Sequence, residues 1–338
     1  SAAAGFVLLE WLGLWASVRT MAVLYAVAAW VVANRLLPAA VPAPAALRWA
    51  RAAPLVLLVA LVTIADAARL PRLPDLQNLK RPPAIHQVWE GADGTVAVVS
   101  VGGHLRTIVD NYYSLGSSEE RQYEETQADL PLLLHPRPRS AFFLGLGTGI
   151  TAGAALKHPI ERLVAAELSP EVVEASRRYF GAFTNDLFSD PRAEIVVDDG
   201  RQYLLATDER FDVIVSDLFI PWQSGAGSLY TREAFAAARD RLAPGGLFAQ
   251  WLPLYQLSPD EIDTITRTFL EVFPQVTLWR GDFLPSRPIV ALVGETEPRP
   301  LDAGALVESY RALRGSPTLG RERSEEHTSE LQSRVDIS

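Results

Sequence analysis

Residues 129–298 alternate short apolar runs with longer amphipathic segments. The segments between the runs, such as 169–180 and 231–242, have helical periodicity and begin with a capping serine or threonine. Such alternation predicts an α/β fold built on a Rossmann-like, doubly wound sheet. The runs predicted as strands are 141–144, 162–167, 194–197, 211–216, 246–251, 275–279 and 289–293.

A glycine loop follows the first predicted strand. It reads Leu-Gly-Leu-Gly-Thr-Gly and contains Gly145, Gly147 and Gly149. A glycine turn between a strand and a helix lets backbone N–H groups approach a ligand closely. Its G-x-G-x-G spacing differs from the G-x-G-x-x-G of dinucleotide folds and suits a ligand without a pyrophosphate. Taken alone, the loop is also compatible with a tight turn that serves only helix packing.

Acidic residues end or follow the next three predicted strands. Glu167 ends the second strand, Asp199 and Gly200 follow the third, and Asp217 follows the fourth. Ligands of doubly wound sheets bind beyond the carboxyl ends of the strands, so these acids and the loop are predicted to share one site. The acids of the second and third strands fit the ribose and adenine of an adenosyl group, and the glycines leave room for a sulfonium arm.

Residues 1–70 contain three apolar stretches, 2–18, 21–37 and 52–65, of which the first is interrupted by Glu10. Each is shorter than the roughly 20 apolar residues that a spanning helix needs. Three in succession are nevertheless hard to bury in a soluble domain of this size, so we predict transmembrane helices over 1–70. Arginines on both sides of the third stretch leave the orientation undetermined. Because the chain opens at Ser1, we expect its natural start to lie upstream.

The rest of the chain divides by composition. We predict a Pro-rich linker over 71–83 and a small antiparallel β domain over 84–128, where β-branched and aromatic residues alternate with glycine turns. The doubly wound domain is predicted over 129–298 and a C-terminal segment over 299–322. Residues 323–333 match the translation of a DNA sequencing adapter letter for letter, so 323–338 are predicted to be a non-native tail.

Composition excludes some classes of function. A formal net charge of −9 gives no basic surplus for nucleic acid, and we expect no nucleic-acid partner. The chain has no cysteine, and its five histidines lack the spacing of metal ligands, so we expect no metal.

An ordered set of motifs between residues 87 and 294 resembles the spermidine synthase family of aminopropyltransferases, in particular its membrane-fused members. The motifs are RQYEETQADLPLLLHPRPRSAFFLGLGTGITAGAALKHP, AAELSPEVVEAS, VVDDGRQYL, FDVIVSDLFIP and LFAQWL. The resemblance implies a fold of the S-adenosylmethionine-dependent transferase type, with decarboxylated S-adenosylmethionine as donor and a small-molecule amine as acceptor.

The same resemblance implies roles for single residues. Glu167 would bind the donor's ribose and Asp199 its adenine, with the glycine loop beneath the sulfonium. Tyr123 would line the pocket near the reacting amine, Asp217 would be the central carboxylate that accepts the amine's proton, and Gln250 matches a glutamine of the family's fifth strand.

The sequence departs from the family's pattern on the amine side. Thr148 stands where the family has an acid that meets the donor's terminal ammonium, and Ile220 replaces a second aspartate before a proline. Ser114 stands where a glutamine is expected, and residues 284–286 replace an element with a tyrosine. The apolar residues after Asp217, together with Trp222, could line a wider acceptor pocket or could simply pack beneath a lid.

Three functions therefore stay open at this point. The first is a membrane-anchored aminopropyltransferase, with its catalytic domain in the cytoplasm and a homodimer formed through the small sheet, as the resemblance implies. The second is a methyltransferase that uses S-adenosylmethionine itself, because Thr148 offers no charge to repel the donor's carboxylate. The third is a non-catalytic domain of a membrane transporter that senses polyamines or nucleosides.

Overall fold

A computed structural model describes residues 2–35, 53, 56–60, 83–91, 94–110, 113–219, 225–281, 287–297 and 300–315. The chain divides into two compact units, Ser1–Leu115 and Gly116–Ser338. The predicted linker over 71–83 lies outside the described residues except for Pro83, and the predicted adapter-like tail lies wholly outside them.

The first unit contains a long helix and an antiparallel sheet. Helix α1 spans Ala2–Arg35. The sheet has four strands in the order β1-β2-β3-β4, and the fourth strand runs across the boundary between the units. The predicted antiparallel sheet is thus confirmed. Its strands are β1 Ala84–Glu90, β2 Thr95–Val101, β3 His104–Val109 and β4 Tyr113–Ser117.

The predicted membrane helices are not found among the described residues. Helix α1 joins the first two apolar stretches into one helix, because residues 18–21 contain neither glycine nor proline to end it. Of the third stretch, only residues 53 and 56–60 are described, and they are helical. Within the part of the chain that the structure describes, no helix is both long and apolar enough to cross a bilayer. Each stretch by itself is shorter than the roughly 20 residues that spanning requires, and the polar residues Arg19 and Thr20 lie where the first two join.

The second unit is an α/β domain around a seven-stranded sheet in the order β10-β11-β9-β8-β5-β6-β7. Strands β5 to β9 pair in parallel, whereas β11 pairs antiparallel with both β9 and β10. The strands are β5 Ser140–Leu144, β6 Arg162–Glu167, β7 Ala193–Val197, β8 Phe211–Ser216, β9 Leu242–Pro253, β10 Gln275–Arg280 and β11 Ile289–Glu295. The predicted Rossmann-like sheet is confirmed, with a mixed edge.

Helices lie between these strands in the chain, and one more follows the last strand. They are α2 Arg121–Leu134, α3 Ile150–Ala154, α4 Pro170–Ala175, α5 Gly200–Ala206, α6 Arg232–Asp240, α7 Pro259–Val272 and α8 Ala303–Gly315. Ser169 and Thr231 cap α4 and α6 through their side chains, as the sequence predicts. Helix α2 was not predicted. It packs beside the sheet, where its Gln127 carbonyl accepts a 3.0 Å hydrogen bond from the Trp251 indole.

The strand order reverses at β5, which places the site. Leu144, the last residue of β5, pairs with Ala166 of β6 on one side and with Ser216 of β8 on the other. The next residues of the three strands are Gly145, Glu167 and Asp217. The glycine loop and two of the predicted acids therefore stand side by side at the crevice where doubly wound sheets bind ligands.

Candidate active site at the carboxyl edge of the sheet

The glycine loop has the backbone conformation that its sequence predicts. Gly145, Gly147 and Gly149 have φ angles of 96°, 56° and 79°, in the left-handed region that side chains disfavour. A Cβ on Gly145 would come within 3.3 Å of the Phe219 ring, and one on Gly149 within 2.6 Å of the Ser176 hydroxyl. The loop thus needs its glycines both for its turns and for the close approach of its neighbours.

Glu167 fixes the shape of this loop. Its carboxylate accepts hydrogen bonds from the N–H groups of Leu146 and Gly147, at 3.1 and 3.2 Å. The second carboxylate oxygen accepts from the Ser169 N–H at 3.1 Å, at the start of α4. Each carboxylate oxygen has further acceptor capacity, so the group can still receive hydroxyl hydrogens from a ligand.

Asp199 caps helix α5 and is already engaged by an arginine. Its carboxylate accepts the Arg201 N–H at 2.9 Å and forms a bidentate pair with the Arg201 guanidinium, with a closest contact of 2.6 Å. These bonds hold the pKa of the Asp199 carboxyl below its usual range. Gly200 follows because a Cβ there would come within 2.9 Å of Leu144. The Asp199 carboxylate can therefore keep its negative charge while it accepts a hydrogen bond from a ligand amine.

Asp217 has a different electrostatic environment. Burial raises the pKa of its carboxyl, although hydrogen bonds from the Leu218 N–H, at 2.7 Å, and from the Thr151 side chain oppose this. No lysine or arginine among the described residues forms an ion pair with it. A carboxylate that is buried without a positive partner is suited to take a proton from, or bind, a cationic ligand.

A second half-buried carboxylate lies beside the loop, and the sequence analysis missed it. Glu124, in the first turn of α2, accepts the Thr148 hydroxyl hydrogen and the Ser117 N–H, the latter at 2.9 Å. Burial raises the pKa of its carboxyl to about 8, and the nearby charge of Asp217 adds to the rise. Gly116 makes room for this carboxylate, which a Cβ at that position would overlap.

Of the remaining predicted site residues, some are described by the structure and others are not. Tyr123 lies next to Glu124 and is half-buried, whereas Thr148 and Gln250 are buried. The Gln250 amide donates to the Trp251 carbonyl at 3.0 Å, and its buried amide oxygen has no partner among the described residues. Ile220, Trp222 and residues 284–286 lie outside the described residues.

Tyr230 was not predicted as a site residue, but it lies near the Asp217 carboxylate. Its hydroxyl donates to the Phe219 carbonyl at 2.8 Å, and both burial and the charge of Asp217 raise its pKa. In the described part of the chain, no three His, Cys, Asp or Glu side chains are grouped as metal ligands would be. The carboxylates around the glycine loop can thus bind the hydroxyls, amines and cationic groups of a ligand.

Comparison with known proteins agrees with this geometry. The spermine/spermidine synthase domain family matches residues 120–280. Polyamine aminopropyltransferases are similar in sequence: that of Aeropyrum pernix is 32% identical over 195 residues, which are 56% of this chain and 62% of that protein. That of Pyrobaculum calidifontis is 32% identical over 199 residues, 57% and 69% of the two chains. That of Thermotoga maritima is 34% identical over 163 residues, 45% and 55%.

The chain thus spans between about half and about two thirds of the length of these relatives. Solved structures of spermidine synthases have the same fold. One in complex with the transition state analogue AdoDATO has a TM-score of 0.57 at 24% identity, and one from Thermotoga maritima has a TM-score of 0.56 at 24% identity. Each alignment covers 67% of this chain and 75% of the other.

Proposed function

Since this chain belongs to the spermine/spermidine synthase family, we propose that it is an aminopropyltransferase. It moves an aminopropyl group from decarboxylated S-adenosylmethionine to an amine acceptor, as a step of polyamine biosynthesis. Within the chain, the proposal assigns the reaction to the carboxyl edge of the seven-stranded sheet.

The donor's adenosyl group lies over the glycine loop in this proposal. Glu167 receives the two ribose hydroxyls with the acceptor capacity that its loop bonds leave, and Asp199 receives the adenine amine. Gly145, Gly147, Gly149 and Gly200 let the donor pass close to the backbone. The Arg201 fork keeps the Asp199 carboxyl ionised, which strengthens its hydrogen bond to the adenine amine.

Asp217 takes the proton of the acceptor amine. A free amine of this kind has a pKa near that of lysine, about 10, and is protonated at neutral pH. Asp217 first binds the ammonium and then accepts one proton, so the nitrogen lone pair attacks the donor's carbon beside the sulfonium. A nitrogen–carbon bond forms, the carbon–sulfur bond breaks, and the sulfur leaves as neutral methylthioadenosine. Alignment of the three atoms supplies the rest of the rate enhancement.

Other residues shape the acceptor side. Tyr123 lines the pocket near the reacting amine, and Gln250 turns its unpaired amide oxygen to the substrates. The apolar lining of the acceptor pocket that the sequence assigns to Ile220 and Trp222 stays a prediction, because both lie outside the described residues.

The single observation that carries the proposal is the Asp217 carboxylate. It is half-buried, it has no basic partner among the described residues, and it adjoins the glycine loop at the strand-order reversal. Burial without a counter-ion costs folding free energy, and a bound ammonium repays it. An exposed acid at a strand end would have no such requirement.

The test is release of methylthioadenosine. The full chain is incubated with decarboxylated S-adenosylmethionine and a panel of diamines and polyamines of increasing length, and we expect release with at least one of them. Asp217→Asn should lower kcat at least about a hundredfold, because the amine then keeps its proton. A matched control is Asp263→Asn, which removes an exposed carboxylate of α7 and should leave the rate unchanged.

A parallel reaction contains S-adenosylmethionine itself. Methyl transfer with that donor, and no methylthioadenosine release with the decarboxylated one, would establish the methyltransferase instead. Absence of turnover with both donors would favour the sensing domain. Attachment to a membrane, a cytoplasmic catalytic domain and dimerisation through the small sheet stay predictions of the sequence.

A further inference from the structure

Glu124 is a carboxylate that folding alone does not explain. It reaches from the first turn of α2 to the glycine loop, where the Thr148 hydroxyl donates to it. Thr148 is only 2% exposed, so this contact lies inside the protein. A glutamine could keep both contacts without a charge: its amide oxygen would accept from the Ser117 N–H, and its NH2 group would donate to the Thr148 hydroxyl.

The two charged side chains that shift the pKa of Glu124 are both negative. Asp217 and Glu120 face it and raise its pKa further, and no lysine or arginine of the described residues forms an ion pair with it. Glu120 is itself satisfied by Arg287, at 3.4 Å. Glu124 and Asp217 therefore remain as two acids near the loop without a basic partner among the described residues. In the ligand-free protein the pKa of about 8 keeps the Glu124 carboxyl protonated at neutral pH, and a bound ammonium would stabilise its charged form in place of that proton.

We propose that Glu124 binds the terminal ammonium of the donor's aminopropyl arm, and so replaces the loop acid that Thr148 does not supply. The proposal rests on the aminopropyltransferase function. Of the two substrate cations, Asp217 takes the acceptor amine, and Glu124 takes the donor's because it is bonded to the loop that lies beneath the sulfonium. Thr148 then positions the carboxylate instead of carrying the charge.

This assignment also sets donor specificity. S-adenosylmethionine carries a carboxylate beside its terminal amine, and that carboxylate would lie close to Glu124 and Asp217. Repulsion between like charges in a buried site is strong. The decarboxylated donor lacks this group and is not repelled. Glu124 thus supplies from α2 the charge that Thr148 lacks, and this charge discriminates between the decarboxylated donor and S-adenosylmethionine.

The experiment compares two ligands that differ in the aminopropyl arm. Decarboxylated S-adenosylmethionine has the terminal ammonium, and methylthioadenosine has the same adenosyl group without the arm. Calorimetry on the full chain should show that Glu124→Gln weakens binding of the decarboxylated donor at least about tenfold, because a charge-assisted hydrogen bond is lost. Binding of methylthioadenosine should change less than about twofold and shows that the site is folded.

Moving the carboxylate from one side chain to its neighbour tests whether donor binding can be restored. The double variant Glu124→Gln with Thr148→Asp moves the carboxylate to the neighbouring side chain and should recover most of the lost donor affinity. It should also restore the preference for the decarboxylated donor over S-adenosylmethionine, which Glu124→Gln alone reduces.

The outcomes separate the two claims. If the unmodified chain turns over but Glu124→Gln binds the decarboxylated donor equally well, the role of Glu124 is refuted and the enzyme activity stands. If Glu124→Gln weakens both ligands alike, Glu124 only maintains the fold of the loop, which also refutes the role. If the unmodified chain binds no decarboxylated donor, the proposed function itself fails.

Discussion

At the scale of single residues, the site retains carboxylates that destabilise the fold. The folded protein holds the Glu124 proton up to about pH 8, whereas a free glutamate releases it near 4.5. Between these values the folded state binds more protons than the unfolded chain, so the stability of the ligand-free protein falls as the pH rises from about 4.5 to 8. Glutamate at this position is thus a cost to folding at neutral pH.

Glu124→Gln should therefore stabilise the protein, and more so at high pH. Near pH 5 the melting temperatures of the variant and the original chain should agree closely, because Glu124 is then protonated in the folded state. Near pH 8 the variant should melt several degrees higher, corresponding to a gain of a few kcal/mol at most. Thermal unfolding at both pH values, without ligand, checks this.

Glu261→Gln is the control of opposite sign. Hydrogen bonds from the Ser258 N–H and hydroxyl lower the pKa of this exposed carboxyl, so its contribution is present above pH 4.5 and is lost as the pH falls. Its removal should lower the melting temperature at pH 8. An equal shift for Glu124→Gln at pH 5 and pH 8 would contradict the buried-proton argument.

Sequence could predict some of these site residues and not others. Glu167, Asp199 and Asp217 were predictable because each follows an apolar strand, and parallel strands bring their carboxyl ends to one edge. Glu124 was not, because it stands beside Glu125 in a polar segment typical of a solvated helix. Successive helical residues point in different directions. Glu125 pairs with Arg121 and Lys157, whereas Glu124 meets the loop.

At the scale of elements, every predicted strand of the doubly wound sheet is present, some of them longer than predicted. The inner strands β5, β6, β8 and β11 are runs of buried apolar residues, as expected of strands covered on both faces. Helix α2 escaped prediction because its buried positions include Glu125 and Gln127, so apolar periodicity does not mark its inner face. The first two apolar stretches were predicted separately but form one helix. The residues between them are polar, and none is a glycine or proline that would end a helix.

Helix α3, which follows the glycine loop, is packed closely against the backbone of Thr184. A Cβ on Gly153 would overlap the backbone carbonyl of Thr184, which cannot move aside as a side chain would. Gly153→Ala should destabilise the protein by about 1–3 kcal/mol and weaken methylthioadenosine binding, because α3 carries the end of the glycine loop. Gly181→Ala is the matched control: a Cβ there meets nothing within 4 Å.

Denaturant unfolding with both variants measures the effect. Gly181→Ala should be neutral or slightly stabilising, since alanine reduces the freedom of the unfolded chain. Equal midpoints for the two variants would mean that α3 can shift away from residue 184.

At the scale of the whole molecule, the chain has a formal net charge of −9, and the proposed substrates are cations. The summed field of an acidic protein raises the encounter rate of positive ligands and is screened by salt. The value of kcat/KM for the amine should therefore fall several-fold between about 0.02 and 0.5 M salt. The affinity for neutral methylthioadenosine should stay nearly constant, and a parallel decline in both would exclude steering of cations.

Gly116 sets a condition on how such a site can arise during evolution. Any side chain there would occupy the volume of the Glu124 carboxylate. An acid at 124 can keep this position beside the loop when position 116 has no side chain, whereas a side chain at 116 would displace it. Among relatives, glycine at 116, acid at 124 and an uncharged residue at 148 should consequently be inherited together.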